Sequence, residues 1–196
     1  MSIDRVDSET IRPDNFRDIN NLKELIELRI EASLDKLIEK DKHLVDTKTN
    51  ERSLTHRLGM YLQNLFEYWD VDCEYNRDGN KPKRINWDIE PEEIESTDTQ
   101  GKTVYPDIII HQRGKQSTIN LAVIEVKKTD NFSRSEVIKD IKKLIEYKNS
   151  HLNYEFACFI KINVSEEKNE KPYNFYPVET GNSTNEIFSE ICNQDS

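Results

Sequence analysis

The sequence predicts an α/β domain in which helices cover the faces of a β-sheet, and three observations carry that prediction. Apolar residues recur at threes and fours over two long N-terminal stretches, the pattern of amphipathic helices. Two Val- and Ile-rich runs, Val104 to His111 and Ile119 to Lys128, follow each other across a short polar connection, as adjacent strands do. A further helix-periodic stretch and a further apolar run come after them, which adds one helix and one strand.

Residues 1 to 16 are polar, carry Asp4, Asp7, Glu9 and Asp14, and are expected to form a flexible segment ahead of a single domain from 17 to 196. Ile19, Leu22, Leu25, Ile26, Ile30, Leu34, Leu37 and Ile38 then mark a helix from about 17 to 43. This N-terminal helical extension, 17 to 45, either runs unbroken or splits near Ser33. A second helix is expected from about Thr49 to Trp69, with Leu54, Leu58, Tyr61, Leu62, Leu65 and Trp69 on one face. Glu51 lies three residues before Leu54 and seven before Leu58, so one carboxylate falls on that inward stripe.

Val71 to Arg77 reads as a strand. A polar insertion, 78 to 103, follows; it is punctuated by Asp78-Gly79, Lys81-Pro82, Pro91 and Gly101, with a short strand expected within Arg84 to Ile89. The two Val/Ile runs come next, read as an antiparallel pair joined through Gly114. Ser133 and Glu136 have capping-box spacing and open a helix whose Val137, Ile138, Ile141, Leu144 and Ile145 share a face. Glu155 to Val164 reads as a buried strand. The remainder, with Pro172, Pro177 and Gly181, is extended up to a short helix near Glu186 to Cys192.

At 196 residues the chain suits one domain with a sheet at its centre. The net charge of -10 is unevenly spread: Ile85 to Gly101 holds six acids and Glu179 to Ser196 four more, neither with a Lys or Arg. Those ten acids account for the whole excess, so a neutral body remains that can carry a basic face, particularly if the acidic segments are solvated loop and tail. No secretory, lipidation or membrane-spanning signal is present, and a cytoplasmic protein with no membrane partner is expected. Cys73, Cys158 and Cys192 have no close pairing, so reduced thiols are expected rather than a disulfide framework or a zinc site.

On an extended strand, side chains two apart point the same way, so Glu125 and Lys127 share a face while Ile124 and Val126 enter the opposite layer. Asp107 stands at the start of the preceding strand, where a hairpin can bring its carboxylate beside Glu125. Two carboxylates that close repel unless a cation lies between them, and oxygen-only ligation suits magnesium better than zinc.

These residues resemble the PD-(D/E)XK, or restriction-endonuclease-like, nuclease superfamily. Tyr105-Pro106-Asp107 precedes Glu125-Val126-Lys127, with the Glu eighteen residues after the Asp. The resemblance covers about 49 to 164 and includes the upstream acid Glu51; the insertion and the N-terminal helix fall outside the family pattern. It implies a central mixed β-sheet flanked by helices, ordered helix, three-stranded meander, helix, strand. It also implies a metal-dependent nuclease hydrolysing phosphodiester bonds, with DNA the expected substrate. Asp107, Glu125 and the backbone carbonyl of Val126 would bind Mg²⁺ or Mn²⁺, Glu51 would hold a second ion or a water, and Lys127 would orient the nucleophile and stabilise the transition state.

His56 and Arg57, one turn beyond Glu51, are candidate nucleic-acid contacts. Lys128 and Arg134 are further candidates, on a basic edge with Lys139, Lys142 and Lys143. Asp140 is read as a local partner of Lys143 with no further role. The alternative is a catalytically inactive nuclease-like module that binds nucleic acid or serves in an assembly, and the N-terminal helix is a candidate homodimer contact.

Overall fold

The computed structural model describes residues 10–47, 50–75, 77–78, 81–82, 84–85, 102–103, 105–114, 119–131, 133–164, 171–179 and 181–193. In chain order the helices are α1 (Leu22–Lys40), α2 (Lys42–Asp46), α3 (Glu51–Leu65), α4 (Arg134–Asn149) and α5 (Thr184–Asn193). The strands are β1 (Asp70–Cys73), β2 (Arg77–Asp78), β3 (Lys81–Pro82), β4 (Arg84–Ile85), β5 (Lys102–Thr103), β6 (Ile108–His111), β7 (Asn120–Lys128), β8 (Phe156–Ile162) and β9 (Tyr173–Pro177).

Five strands form one mixed sheet in the order β1-β6-β7-β8-β9. β1, β6 and β7 make an antiparallel meander, α4 crosses over to β8, which lies parallel to β7, and β9 closes the far edge antiparallel to β8. The insertion contributes two small antiparallel pairs, β2 with β3 and β4 with β5. The expected strand within Arg84 to Ile89 is thus realised at its first two positions, and residues 86–101 lie outside the described residues.

The alternation along β7 separates two cores. Ala122, Ile124 and Val126 join the core beneath α1 and α3, which includes Ile26, Ile30, Leu34, Leu37, Leu54, Leu58 and Leu62. Val123 joins the core beneath α4 and α5, which includes Val137, Ile141, Leu144, Phe159, Ile187 and Ile191. The architecture is therefore α/β, with helices on both faces of the sheet.

Several expectations change in detail. α1 passes Ser33 unbroken, with the Ser33 hydroxyl donating to the Arg29 carbonyl one turn back at 2.9 Å. The helix expected from 17 to 43 begins at Leu22 and ends at Lys40, ahead of the short α2. The apolar face of α1 packs on this chain's own core. The flexible segment expected over 1 to 16 is instead seated at its end: Ile11 and Phe16 are buried, and the Trp69 indole donates to the Ile11 carbonyl at 2.9 Å. Residues 1–9 lie outside the described residues.

The capping box expected at Ser133 does not form, since its hydroxyl pairs with that of Ser135 at 3.0 Å. A reciprocal box forms at Ser183 and Glu186: the Ser183 amide donates to Glu186 Oε2 at 2.8 Å and the Glu186 amide to Ser183 Oγ at 3.3 Å. The short terminal helix expected near Glu186 to Cys192 is α5, which buries Ile187 and Ile191, so this acidic stretch is not wholly a solvated tail. The three cysteines are free thiols. No helix among the described residues is long and apolar enough to cross a membrane.

Candidate active site

β7 is a nine-residue strand whose residues are buried except Lys127, which is half-buried. Val123, Glu125 and Lys127 alternate onto the α4 side. In the antiparallel register Ile108 pairs with Ile124, so Asp107 stands opposite Glu125, one residue beyond that pair. Asp107 is pinned there by its own carboxylate, whose Oδ2 accepts from the Val126 amide at 2.8 Å. The Glu74 amide also donates to the Asp107 carbonyl at 3.1 Å, which fixes the backbone ahead of β6.

Glu51 is the first residue of α3, next to the N-cap Asn50, whose side chain accepts from the Arg52 amide at 3.0 Å. From the helix end Glu51 reaches β7 twice: Oε2 accepts from Lys127 Nζ at 3.3 Å and Oε1 from the Lys128 amide at 3.2 Å. Asp107, Glu125, Lys127 and Glu51 are therefore carried by two adjacent strands and one helix end.

The opposite wall belongs to α4. Asp140 lies 3.7 Å from Lys127 Nζ through Oδ2 and 2.6 Å from Lys143 Nζ through Oδ1. Lys143 Nζ in turn lies 3.2 Å from Glu125 Oε1. That is ion-pair reach without hydrogen-bond alignment, so this buried oxygen has no hydrogen-bond partner; the Tyr147 hydroxyl, also buried, has none either. Lys161 on β8 pairs in register with Lys127 and is buried.

The environment sets the charges. Burial pushes Glu125 well above the usual carboxylate range, and the Asp107 carboxylate adds to the rise while Lys143 opposes it. Asp107 is also raised, first by burial, with the Val126 amide working against the shift. For Lys127 burial disfavours the ammonium, but Asp140 and Glu51 outweigh it and its pKa rises. Lys143 behaves likewise, with burial overcome by Glu125 and Asp140.

The four motif residues thus come together, whereas the expected nucleic-acid contacts are scattered. Arg57 is committed to Asp41, at 3.0 Å from Nε to Oδ2, and to the Tyr61 hydroxyl at 2.9 Å. Lys128 is buried because β7 turns it to the other face, where Nζ donates to the Thr47 carbonyl at 2.5 Å and the Leu44 carbonyl at 3.5 Å. Arg134 is exposed with its guanidinium over the Phe188 ring at 5.1 Å, and His56 is exposed on α3.

Asp140 and Tyr147 were not expected at the site, and Lys143, expected on a basic edge beside it, instead pairs inward with Glu125 and Asp140. A signal for Asp140 and Tyr147 does exist: Val137, Asp140, Ile141, Leu144 and Tyr147 fall at threes and fours, so Asp140 interrupts an inward apolar stripe. Among the described residues no group of three or more His, Cys, Asp or Glu side chains has the arrangement of a metal site. No family model, curated protein or solved structure matches the chain.

Proposed function

We propose that this chain is a divalent-cation-dependent nuclease of the PD-(D/E)XK type, hydrolysing phosphodiester bonds of DNA. The single observation that carries the proposal is the pairing of Asp107 with Glu125 across two central strands, with Lys127 on the same face and tied to Glu51. An ordinary surface ion pair has no need of a buried acid on a central strand, where an unneeded charge is costly. The order helix, antiparallel meander, helix, parallel strand, traced by α3, β1-β6-β7, α4 and β8, supports this reading, since the resemblance implies a helix, a three-stranded meander, a helix and a strand.

A bound cation fits the groups present. The donors are all oxygens, Glu125 Oε1 lacks a hydrogen-bond partner, and three carboxylates (Glu51, Glu125, Asp140) pair with the ammoniums of Lys127 and Lys143 while Asp107 stands opposite Glu125. Asp107, Glu125 and the Val126 carbonyl would hold Mg²⁺ or Mn²⁺, with Glu51 alongside. Such an ion supplies Lewis acidity toward the scissile phosphate and lowers the pKa of its water.

The chain's own contribution centres on Lys127. Its raised pKa keeps it an ammonium at neutral pH, so it serves as a fixed positive donor to a phosphate oxygen and not as a general base. Glu51 holds that ammonium from the α3 side, at 3.3 Å, and limits its motion.

The test is incubation of plasmid and linear DNA with Mg²⁺ or Mn²⁺. Cleavage is expected for the unaltered chain, and Lys127→Ala is expected to lower the rate by about 10²–10³-fold, the usual loss for one preorganised donor. Cleavage undiminished in Lys127→Ala means that another protein is the nuclease. DNA binding without cleavage or metal uptake identifies an inactive module.

A further inference from the structure

The proposed chemistry leaves two charged residues of α4 unused. Asp140 occupies an inward stripe position between Val137 and Leu144 and is only 7% exposed. A carboxylate there is costly unless both oxygens are compensated, and they are: one faces Lys143 and the other Lys127. Lys143 lies between two carboxylates, Asp140 of its own helix and Glu125 of β7. The contacts form an alternating run: Glu51, Lys127, Asp140, Lys143, Glu125. An ordinary i,i+3 surface pair would end at its own helix and face water.

We propose that Asp140 and Lys143 are positioning residues through which α4 sets both motif side chains of β7: Asp140 steadies Lys127, and Lys143 holds the Glu125 carboxylate in its ligating orientation. The inference rests on the metal-dependent reading above. Lys143 is the only cation within ion-pair reach of Glu125 among the described contacts, and it touches Oε1 without filling that oxygen's hydrogen-bonding capacity. Without it the buried carboxylate loses its electrostatic tether. Groups that orient a metal ligand in this way typically change metal affinity by about 10–100-fold when removed.

Mn²⁺ calorimetry on the full chain tests this, with a thermal melt of each protein in parallel. Lys143→Met is expected to weaken Mn²⁺ binding by about 10–100-fold, Lys143→Arg to keep most of the affinity, and Asp140→Asn to weaken it by less than Lys143→Met. Ile141→Val, on the same helix, is expected to lower the melting temperature and leave Mn²⁺ affinity unchanged.

Wild-type affinity in Lys143→Met overturns the inference, as does an equal loss in Ile141→Val, which would make the effect one of general stability. If Lys143→Met does not fold, Asp140→Asn decides, and unchanged affinity there overturns the inference. If the unaltered chain takes up no Mn²⁺, the metal-dependent reading falls too; if it binds and every variant binds equally, only the positioning roles fall.

Discussion

Glu125 carries its carboxylate onto the sheet face that also holds Val123 and Phe159, with 1% of its surface exposed. Because its carboxyl pKa is raised, the folded state holds that proton more tightly than the unfolded chain. The associated stability is fully present below the ordinary value of 4.5 and is lost as pH rises through the raised one. Asp107 contributes with the same sign. The metal-free protein should therefore melt at lower temperature as pH is raised from about 5 to about 8. Glu125→Gln should flatten that slope and raise the alkaline melting temperature by a few degrees, since about 1 kcal/mol moves a domain of this size by about 2–4 °C. A variant less stable than the parent at every pH would show that ionised Glu125 is stabilised by its surroundings. At this scale the sequence was informative about β7, and on α4 it placed Asp140 on the inward stripe without showing what it meets. Residues two apart on a strand must share a face, whereas the neighbours of a charged helical residue depend on which strand the helix lands on.

The seating of α3 decides where Glu51 points, and the helix comes close to β1 at Gly59. A Cβ there would lie 2.9 Å from Cys73 Sγ on β1, closer than side-chain atoms pack. The Cys73 thiol has little freedom to withdraw, since it is half-buried and contacts the Thr55 carbonyl at 3.6 Å. Gly59→Ala should thus cost about 1–3 kcal/mol from overpacking, despite the better helix propensity of alanine. Adding Cys73→Ala should recover most of that loss, a coupling that urea melts of the two single variants and the double variant would reveal. Additive losses would place the strain elsewhere. Gln63, in the last turn of the same helix, donates to the Phe66 and Trp69 carbonyls and accepts from the Val71 amide, so helix end and first strand are joined by one side chain. Helix periodicity predicted that α3 exists and which face is inward. It overran the end by four residues because Trp69 continues the apolar spacing after the backbone has turned toward β1.

Across the described residues, helices cover both faces of the sheet, and the second cover is completed by α5, the short terminal helix expected within an acidic stretch. Ile187 and Ile191 of α5 are buried in the core that backs Glu125 and Lys127. Ile191→Ala should cost about 2–5 kcal/mol, the range for large-to-alanine changes in a closed core, as read by chemical denaturation. A loss within about 0.5 kcal/mol, typical of surface substitutions, would mean that α5 is peripheral. The central antiparallel pair, the crossover helix and the following strand were legible because continuous Val and Ile runs and a clear helical period leave few alternatives. β9 was not legible: Pro172 and Pro177 bracket it, and an edge strand needs neither a strong pattern nor an uninterrupted ladder.

The central claim is that neighbouring strands bring two carboxylates to one divalent cation beside a lysine. Anomalous diffraction from Mn²⁺-soaked crystals locates such an ion directly. A peak in contact with both Asp107 and Glu125, absent from Asp107→Asn crystals, is the predicted result. No peak there at saturating Mn²⁺, or peaks confined to other carboxylates, would contradict it.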